Sequence, residues 1–360
     1  MLPRVIACAL ISNLALTSLP ARADDWKWSA NGNTHLDWNR TNEGDQSTSL
    51  SGIRRSRIAV GVKAPNGFDA KAEYDVHSDV WTDMFIRWRP NANHAVRVGQ
   101  YKQPLYLDEQ TSDRYTMFME QGLPSSFSIA RRLGVEYVYA RGPWRATVST
   151  YDSDAEGRNG GTGLGARVVW APINTETSVV HFGLAATTEA PDSKSARFNS
   201  RSEASNFSPR RFDTGSIAGV SDIRRTGLEA LWIEGSWSVQ GEYLRADLAR
   251  SGASDLSFDG WYVQTSWFPS GDRRGYKEGA IDGPVLGEDG RAFELALRVS
   301  HLDLDDGLVR GGNTINVTAG ATWYLNKNVR LVANYVHVDG ERGSAFVDPN
   351  ILETRIQLSY

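Results

Sequence analysis

Apolar and polar residues alternate along most of the chain, in segments of about ten residues bounded by turn formers. A period of two is typical of β-strands whose two faces meet different surroundings. We count sixteen such segments, near 26–38, 49–63, 68–77, 81–89, 94–101, 134–141, 144–152, 162–171, 177–188, 223–233, 236–247, 257–268, 292–303, 312–325, 328–339 and 350–360. The fold class that this pattern predicts is all-β. An even number of antiparallel strands further favours a sheet that closes into a barrel.

The two faces are separated in several segments. In the second, Ile58, Val60 and Val62 alternate with Arg57 and Lys63. Such faces suit a membrane barrel, with apolar residues toward lipid and polar residues toward water. Many of the 12 Trp and 13 Tyr residues lie near segment ends, as in the aromatic girdles of membrane interfaces. A large soluble β-sandwich, whose strands also alternate, is the alternative.

The first 23 residues have the pattern of a secretory signal peptide. Arg4 precedes an apolar stretch, which is followed by Ala21-Arg22-Ala23, an A-x-A cleavage pattern. The mature chain, 24–360, would then contain no cysteine, because Cys8 is the only one. It has no run of 18 apolar residues that could form a membrane-spanning helix. These features predict export to the outer membrane of a Gram-negative bacterium, with residues 24–360 forming a single barrel domain.

The stretch 102–133 interrupts the alternation after the fifth segment. Connections of about thirty residues inside a compact domain are uncommon and are usually functional. This one is polar and carries Lys102, Arg114, Arg131 and Arg132 among aromatic and methionine residues. We predict an inward-folded constriction loop that narrows the barrel lumen. A loop that lies on the surface and contains a short helix is the alternative.

Connection lengths give a second pattern. Connections after even-numbered segments are short, as periplasmic turns are, and those after odd-numbered segments are predicted to be longer and external. The third-to-fourth connection is short as well. The stretch 269–291 is the serious exception, because it is long, rich in glycine and charge, and follows the twelfth segment.

Several stretches carry a resemblance to a known family. They are Arg54-Arg55-Ser56-Arg57, Gly99-Gln100-Tyr101-Lys102-Gln103-Pro104, Arg131-Arg132-Leu133-Gly134, Trp267-Phe268-Pro269-Ser270-Gly271-Asp272-Arg273-Arg274-Gly275-Tyr276, Phe293-Glu294-Leu295-Ala296-Leu297-Arg298, Leu302-Asp303-Leu304 and Gly311-Gly312. In these the sequence resembles the phosphate-selective porin O and P family. The resemblance implies a homotrimer of sixteen-stranded barrels, each with its own pore, with arginines along the wall and a lysine-rich constriction. It also implies that 269–291 is a family feature.

Charge placement leads to the functional hypothesis. Without Arg4 and Arg22 the chain has 37 basic and 43 acidic residues, a net charge of −6. Strand parity nevertheless places twelve basic and eight acidic strand residues inside the barrel. Arginine suits anion transport because its planar fork binds phosphate bidentately and stays protonated. The predicted pore-lining and anion-binding residues are Arg55, Arg57, Arg87, Arg89, Arg97, Lys102, Arg114, Arg131 and Arg132.

The sequence therefore predicts a passive, anion-preferring channel for phosphate, polyphosphate or similar small anions. Two alternatives concern the charges: wall arginines could pair with wall carboxylates to stiffen the barrel, and Arg131-Arg132 could be ordinary strand-end charges. A porin for sugars or organic acids is the alternative function, with an outer-membrane hydrolase as a third. No motif indicates an enzyme, a cofactor, a metal site or a nucleic-acid partner. The predicted partners are small anionic solutes, outer-membrane lipid and two further copies of the chain.

Overall fold

The computed structural model describes residues 26–204 and 208–360, and the predicted signal peptide, 1–23, lies outside them. Sixteen long strands form the main sheet. They are β1 Lys27–Glu43, β2 Gln46–Lys63, β3 Phe68–Asp75, β4 Val80–Asn91, β5 His94–Lys102, β6 Arg131–Arg141, β7 Trp144–Tyr151, β8 Gly161–Asn174, β9 Ser178–Pro191, β10 Val220–Glu234, β11 Trp237–Arg250, β12 Leu256–Trp267, β13 Ala292–Asp306, β14 Val309–Asn326, β15 Val329–Arg342 and β16 Asn350–Ser359.

The sheet closes on itself. Each strand pairs antiparallel with the next, and β1 pairs with both β2 and β16, for example Asn33 with Ser359. At this seam Gly32 and Tyr360 exchange backbone hydrogen bonds of 2.7 and 3.1 Å. The Tyr360 ring lies so close that a Cβ on Gly32 would be 2.2 Å from it, so a larger residue at this position would require the exposed ring to move. The predicted sixteen-stranded antiparallel barrel is confirmed.

The outer surface has the polarity expected of a lipid-facing wall. Ile86 and Val60 are 61% and 48% exposed, whereas Arg87, next to Ile86, faces the barrel interior and Ala59, next to Val60, is buried. Aromatic rings stack across neighbouring strands near the short-turn end, as Trp144 does with Trp170 and Trp237 with Trp267. Such rings favour the interface between lipid and water. Among the described residues, no helix has the length and hydropathy needed to cross a membrane.

Two predicted connection lengths are wrong. Longer connections were expected after the first and thirteenth strands, but β1 and β2 are joined by Gly44-Asp45 alone, and β13 and β14 by Gly307-Leu308. In both places the strands continue and pair almost to the turn, as Glu43 does with Gln46. Because polar strand ends that extend beyond a membrane need no apolar face, their alternation is weak and their length is underestimated from sequence.

The 103–130 segment contains an α-helix, α1 at Leu107–Gln110, and a 3-10 helix at Leu123–Phe127. A further 3-10 turn, Pro65–Gly67, connects β2 to β3. Backbone groups of the 103–130 segment bond to strands far from β5 and β6. Arg330 of β15 donates to the Thr116 carbonyl at 3.2 Å, and Arg355 of β16 donates to that of Met119 at 2.7 Å. The segment therefore lies against the polar faces of strands on the other side of the barrel.

Two further segments also contact the interior. The 192–219 segment contains two short antiparallel pairs, Ser195–Ala196 with Ile217–Ala218 and Asn199–Ser200 with Phe212–Asp213. The 268–291 segment forms a hairpin of Arg273–Lys277 and Ala280–Val285. A short strand, Ala345–Val347, extends β15 pairing before β16.

One large apolar cluster packs against strands between β9 and β16, with Tyr151 of β7 at its edge. Its members are Leu105, Tyr106, Leu123, Phe127, Ile129, Tyr151, Ala185, Phe198, Ala204, Phe212, Ile217, Val220, Ile223, Leu244, Ala246, Leu248, Leu256, Phe258, Leu302, Leu304, Val336, Val338 and Ile351. They come from the 103–130 segment, the 192–219 segment and the inward faces of the strands. This side of the interior is therefore filled by side chains, and the free space lies elsewhere.

Candidate functional site

Three adjacent spaces follow the inner wall formed by β2 to β8. The middle space has a volume of about 210 Å³, and the space on its loop side about 190 Å³. The wide space, toward the short turns, has a volume of about 570 Å³. Arg57, Asp113 and Arg131 line both of the smaller spaces. Arg97, Gln110 and Ser112 line both the middle and the wide space, so the three form one series.

The middle space lies between the wall and the 103–130 segment. Its lining includes six basic and three acidic side chains. Lys102 directs its Nζ to the carbonyl oxygens of Glu109 at 2.7 Å and Thr111 at 2.9 Å. Arg114 donates to Asn31 Oδ1 at 2.7 Å. Within the described part of the chain, neither cation forms an ion pair with a carboxylate, although Glu109 and Asp83 lie near Lys102.

Most wall arginines are paired. Arg57 Nε lies 3.2 Å from Asp75, Arg97 lies 2.7 Å from Glu136, and Arg131 lies 2.7 Å from Asp83. In each case the geometry matches the alternative in which arginine–carboxylate pairs stiffen the wall. The three arginine side chains remain 14 to 18% exposed, so each can still interact with an ion in the space that it lines.

Asp113 adds a carboxylate that no sequence pattern indicated. It accepts hydrogen bonds from both Arg55 and Arg57, and thereby ties the 103–130 segment to β2. No periodicity marks this residue, because it lies in a segment without regular structure. Arg97 is further held over the rings of Tyr101 and Phe85, at 4.1 and 5.2 Å from their centroids.

Arginines of β4 and β7 line the wide space. Arg87 and Arg89 share the carboxylate of Asp69, at 3.0 Å in the case of Arg87. Both also face Glu278, at the tip of the 273–285 hairpin, as does Arg145 of β7. The sequence predicted the positions of the arginines on the wall, but not that a segment from the short-turn end meets them.

Arg132 lies apart from the other eight predicted residues. It is 7% exposed and donates to the carbonyl oxygen of Ile129 at 2.8 Å. Its Nη2 is 3.5 Å from Glu189 of β9. It therefore contacts the packed side of the interior, whereas Arg131 lines the middle space. The remaining predicted residues, Arg55, Arg57, Arg87, Arg89, Arg97, Lys102, Arg114 and Arg131, line the three adjacent spaces.

Glu120 fixes the far part of the 103–130 segment. It accepts two hydrogen bonds of 2.8 Å from Arg54 and one of 3.0 Å from Arg355. Burial acts to raise the pKa of Glu120, but the Arg54 guanidinium, with Arg355 and Arg55 nearby, lowers that pKa to about 2. The carboxylate is thus ionised at neutral pH and joins β2 to β16 through the segment.

A family model described as "Phosphate-selective porin O and P" matches residues 29–360. The chain belongs to this family. A protein of Caulobacter vibrioides, described as uncharacterised, is 28% identical over 314 residues, which cover 80% of this chain and 63% of the relative. Porin O of Pseudomonas aeruginosa is 28% identical over 222 residues, which cover 53% of this chain and 51% of the relative. The alignments thus span between about half and two thirds of these relatives.

Solved barrels of similar shape include an anion-selective porin from Comamonas acidovorans, with a TM-score of 0.61 and 12% identity over 93% of this chain and 100% of that one. The outer-membrane channel DcaP of Acinetobacter baumannii matches with a TM-score of 0.61 and 11% identity, over 96% of this chain and 100% of that one. OmpT of Vibrio cholerae, in a trimer form, matches with a TM-score of 0.61 and 12% identity, over 92% of this chain and 99% of that one. At these identities the likeness shows the fold. The family and the closed barrel together support an outer-membrane location.

Proposed function

We propose that the protein is a passive outer-membrane channel that prefers small anions, with phosphate and polyphosphate as the favoured class. One observation carries this proposal: Lys102 and Arg114 face the middle space without a carboxylate partner among the described residues. An ion there is within about one Debye length, roughly 8–10 Å, of these charges. The local excess of positive charge therefore outweighs the distant acidic residues that make the whole chain negative.

The 103–130 segment is proposed to narrow the channel. Barrels of sixteen strands leave an aqueous channel, so an additional element has to restrict it. Hydrogen bonds from Arg298, Arg330 and Arg355 to carbonyl oxygens of the segment support this role, because they span the interior. A solute on the β2–β8 side would pass between the segment and the wall.

Phosphate is favoured over a sugar for two reasons. Guanidinium groups along the wall match the oxygens of phosphate in pairs. Sugars in porins would need exposed aromatic faces, but Arg97 covers both Phe85 and Tyr101. Lys102 adds a point charge beside these arginines. Organic acids share the anionic character and are the nearest competing class of solute.

The deciding experiment is the reversal potential of the purified protein in planar bilayers under a potassium chloride gradient. We expect a sign that reports chloride permeation above potassium permeation. Inorganic phosphate should then reduce the chloride current at concentrations where sulfonated buffers of equal charge do not. A cation-selective reversal potential would contradict the proposal.

We also propose a homotrimer that uses the outer face of β1 to β5. A groove of about 450 Å³ on this face is lined by apolar and small residues, among them Trp28, Gly61, Ala70, Ala72 and Ile86. Small side chains let another wall approach closely, and a related barrel, OmpT, is described in a trimer form. Replacement of Ala70 by Arg should shift detergent-extracted protein from trimer to monomer in native gels. An unchanged trimer would place the interface on another face.

A further inference from the structure

The 273–285 hairpin reaches into the wide space from the short-turn end. Its base is fixed by buried contacts: Arg274 lies 2.8 Å from Glu294 of β13 and also donates to the carbonyl oxygen of Tyr115. The hydroxyl of Tyr276 is 2.7 Å from Nδ1 of His181. Ile281 packs in an apolar cluster with Leu107. The hairpin is thus held between the wall and the 103–130 segment.

Its tip is held much more loosely. The Glu278 carboxylate is 3.3 Å from Arg89, 3.7 Å from Arg87 and 3.9 Å from Arg145, and its side chain is 44% exposed. By contrast, Arg87 lies 3.0 Å from Asp69. Glu278 is the only carboxylate within ion-pair distance of Arg145 among the described residues. Three guanidinium groups therefore surround one carboxylate, which is on a long side chain and is accessible to water.

The backbone at the tip does not favour glutamate. Glu278 and Gly279 have φ values of +52° and +82°, as in the two-residue hairpin turns that prefer Asn-Gly. A positive φ is unfavourable for a residue that carries a Cβ and a long side chain. Partial burial acts to raise the pKa of Glu278, but Arg145, Arg87 and Arg89 outweigh it, so the pKa lies below its usual value. Glutamate is therefore an unfavourable residue for this turn, but its carboxylate interacts favourably with the three arginines.

We propose that Arg87, Arg89 and Arg145 form an oxyanion site for which Glu278 is a tethered competitor. A permeating oxyanion such as inorganic phosphate displaces the carboxylate, binds the three guanidinium groups, and leaves when Glu278 returns. This inference rests on the proposed function of an anion channel. The competitor keeps the site from holding anions too tightly, which a conducting channel requires because bound ions must leave as well as enter.

The test compares Glu278→Gln with Asp282→Asn. Both remove one negative charge from the same hairpin, and both residues line the wide space, but Asp282 forms no ion pair among the described residues. The measured quantity is the phosphate concentration that halves the chloride current. We expect Glu278→Gln to lower this concentration by about threefold or more, which corresponds to the free energy of a partly exposed ion pair. Asp282→Asn should change it by much less. Equal changes in the two variants, or none in either, would overturn the inference.

A second variant separates charge from volume. The described residues contain no cysteine, so Glu278→Cys gives a single labelling site there. An anionic methanethiosulfonate adduct should restore the wild-type half-block concentration, and a neutral adduct of similar size should not. Identical effects of the two adducts would overturn the proposal that the negative charge of Glu278 competes with the permeating anion. A failure of the proposed function is recognised by a different result. A cation-selective reversal potential of the unmodified channel would contradict the anion preference, and with it the competitor role of Glu278.

Discussion

The two sides of the barrel interior hold their charges differently. On the water-exposed side, formed by β2 to β8, Arg145 and Glu278 are 3.9 Å apart and their side chains are 23% and 44% exposed. On the packed side, formed by β9 to β16, Arg298 and Glu203 are 2.7 Å apart and 2% and 0% exposed. The first pair is accessible to ions, whereas the second serves to fix a segment against the wall. The number of strands alone therefore does not determine how much of the barrel interior is open to solutes.

The packed side also changes polarity along its strands. In β11 the inward residues Ser238, Gln240 and Glu242 are followed by Leu244 and Ala246 toward the long-loop end. Apolar residues face inward there because the 103–130 and 192–219 segments cover them. A side chain that faces the interior is thus polar where water or a polar segment meets it, and apolar where segments fill the space.

The largest expected effect is from Glu203→Ala on the packed side. Glu203 accepts hydrogen bonds from Arg298, Thr318 and Ser300, so its loss leaves a buried guanidinium without its partner. Breaking such a pair costs about 3–5 kcal/mol. The free energy of unfolding in detergent, from denaturant titration, should fall by this amount. Glu288→Gln, an exposed position in the 268–291 segment, is the control and should change little.

If Glu203→Ala is as stable as wild type, the packed side is not held by its buried pairs.

The next effect concerns pH and Glu120, which joins the 103–130 segment to both sides. Because its pKa is lowered to about 2 in the folded state, its contribution is complete above the unfolded pKa, near 4.5. It is lost as the pH falls through 2. From the size of the shift, the contribution at neutral pH is about 3 kcal/mol. Unfolding midpoints measured from pH 7 to pH 2 should show a loss that Glu120→Gln lacks.

The third effect tests the water-exposed side alone. Replacement of Arg57, Arg87 and Arg97 together by Glu changes the lining by six charges and should move the ion preference toward cations. The control is the same change at Arg197, Arg201 and Arg210 in the 192–219 segment, since none of them lines the three adjacent spaces. Reversal potentials of both triple variants decide the matter. Similar shifts in the two would show that position on the wall is irrelevant.

The smallest effect is expected from Asp113→Asn. This change removes the carboxylate that Arg55 and Arg57 share, so the middle space gains one net positive charge. These side chains are only 9 to 17% exposed, but Arg57 keeps Asp75 as a partner, so stability should fall by less than in Glu203→Ala. Anion preference should rise modestly in bilayer recordings, and Asp45→Asn in the exposed β1–β2 turn should leave it unchanged. A fall in anion preference would contradict the role of Asp113.

Much of the wall was predictable because its signal is local. Each strand reports its own inward and outward faces, and neighbours along the chain pair in the sheet, as Arg97 of β5 does with Glu136 of β6. The positions of Arg57, Arg87 and Arg97 on the wall followed from that alternation. The failures at β1 and β13 have the same origin, since alternation fades where a strand extends beyond the membrane.

The sequence by itself thus determined the strand number and the closed barrel, and it placed most strand residues on the correct side of the wall. Arg54 is an exception, because a β-bulge between β1 and β2 turns it to the interior beside Arg55. Only the tertiary structure decided which charges remain available. Asp113 meets Arg55, Glu203 meets Arg298 and Glu278 meets Arg145 across long stretches of chain. The three carboxylates lie in segments or at a turn with no periodicity, and their partners are chosen by where the segments pack inside the barrel. Packing of this kind depends on many distant side chains together, and no local pattern encodes it.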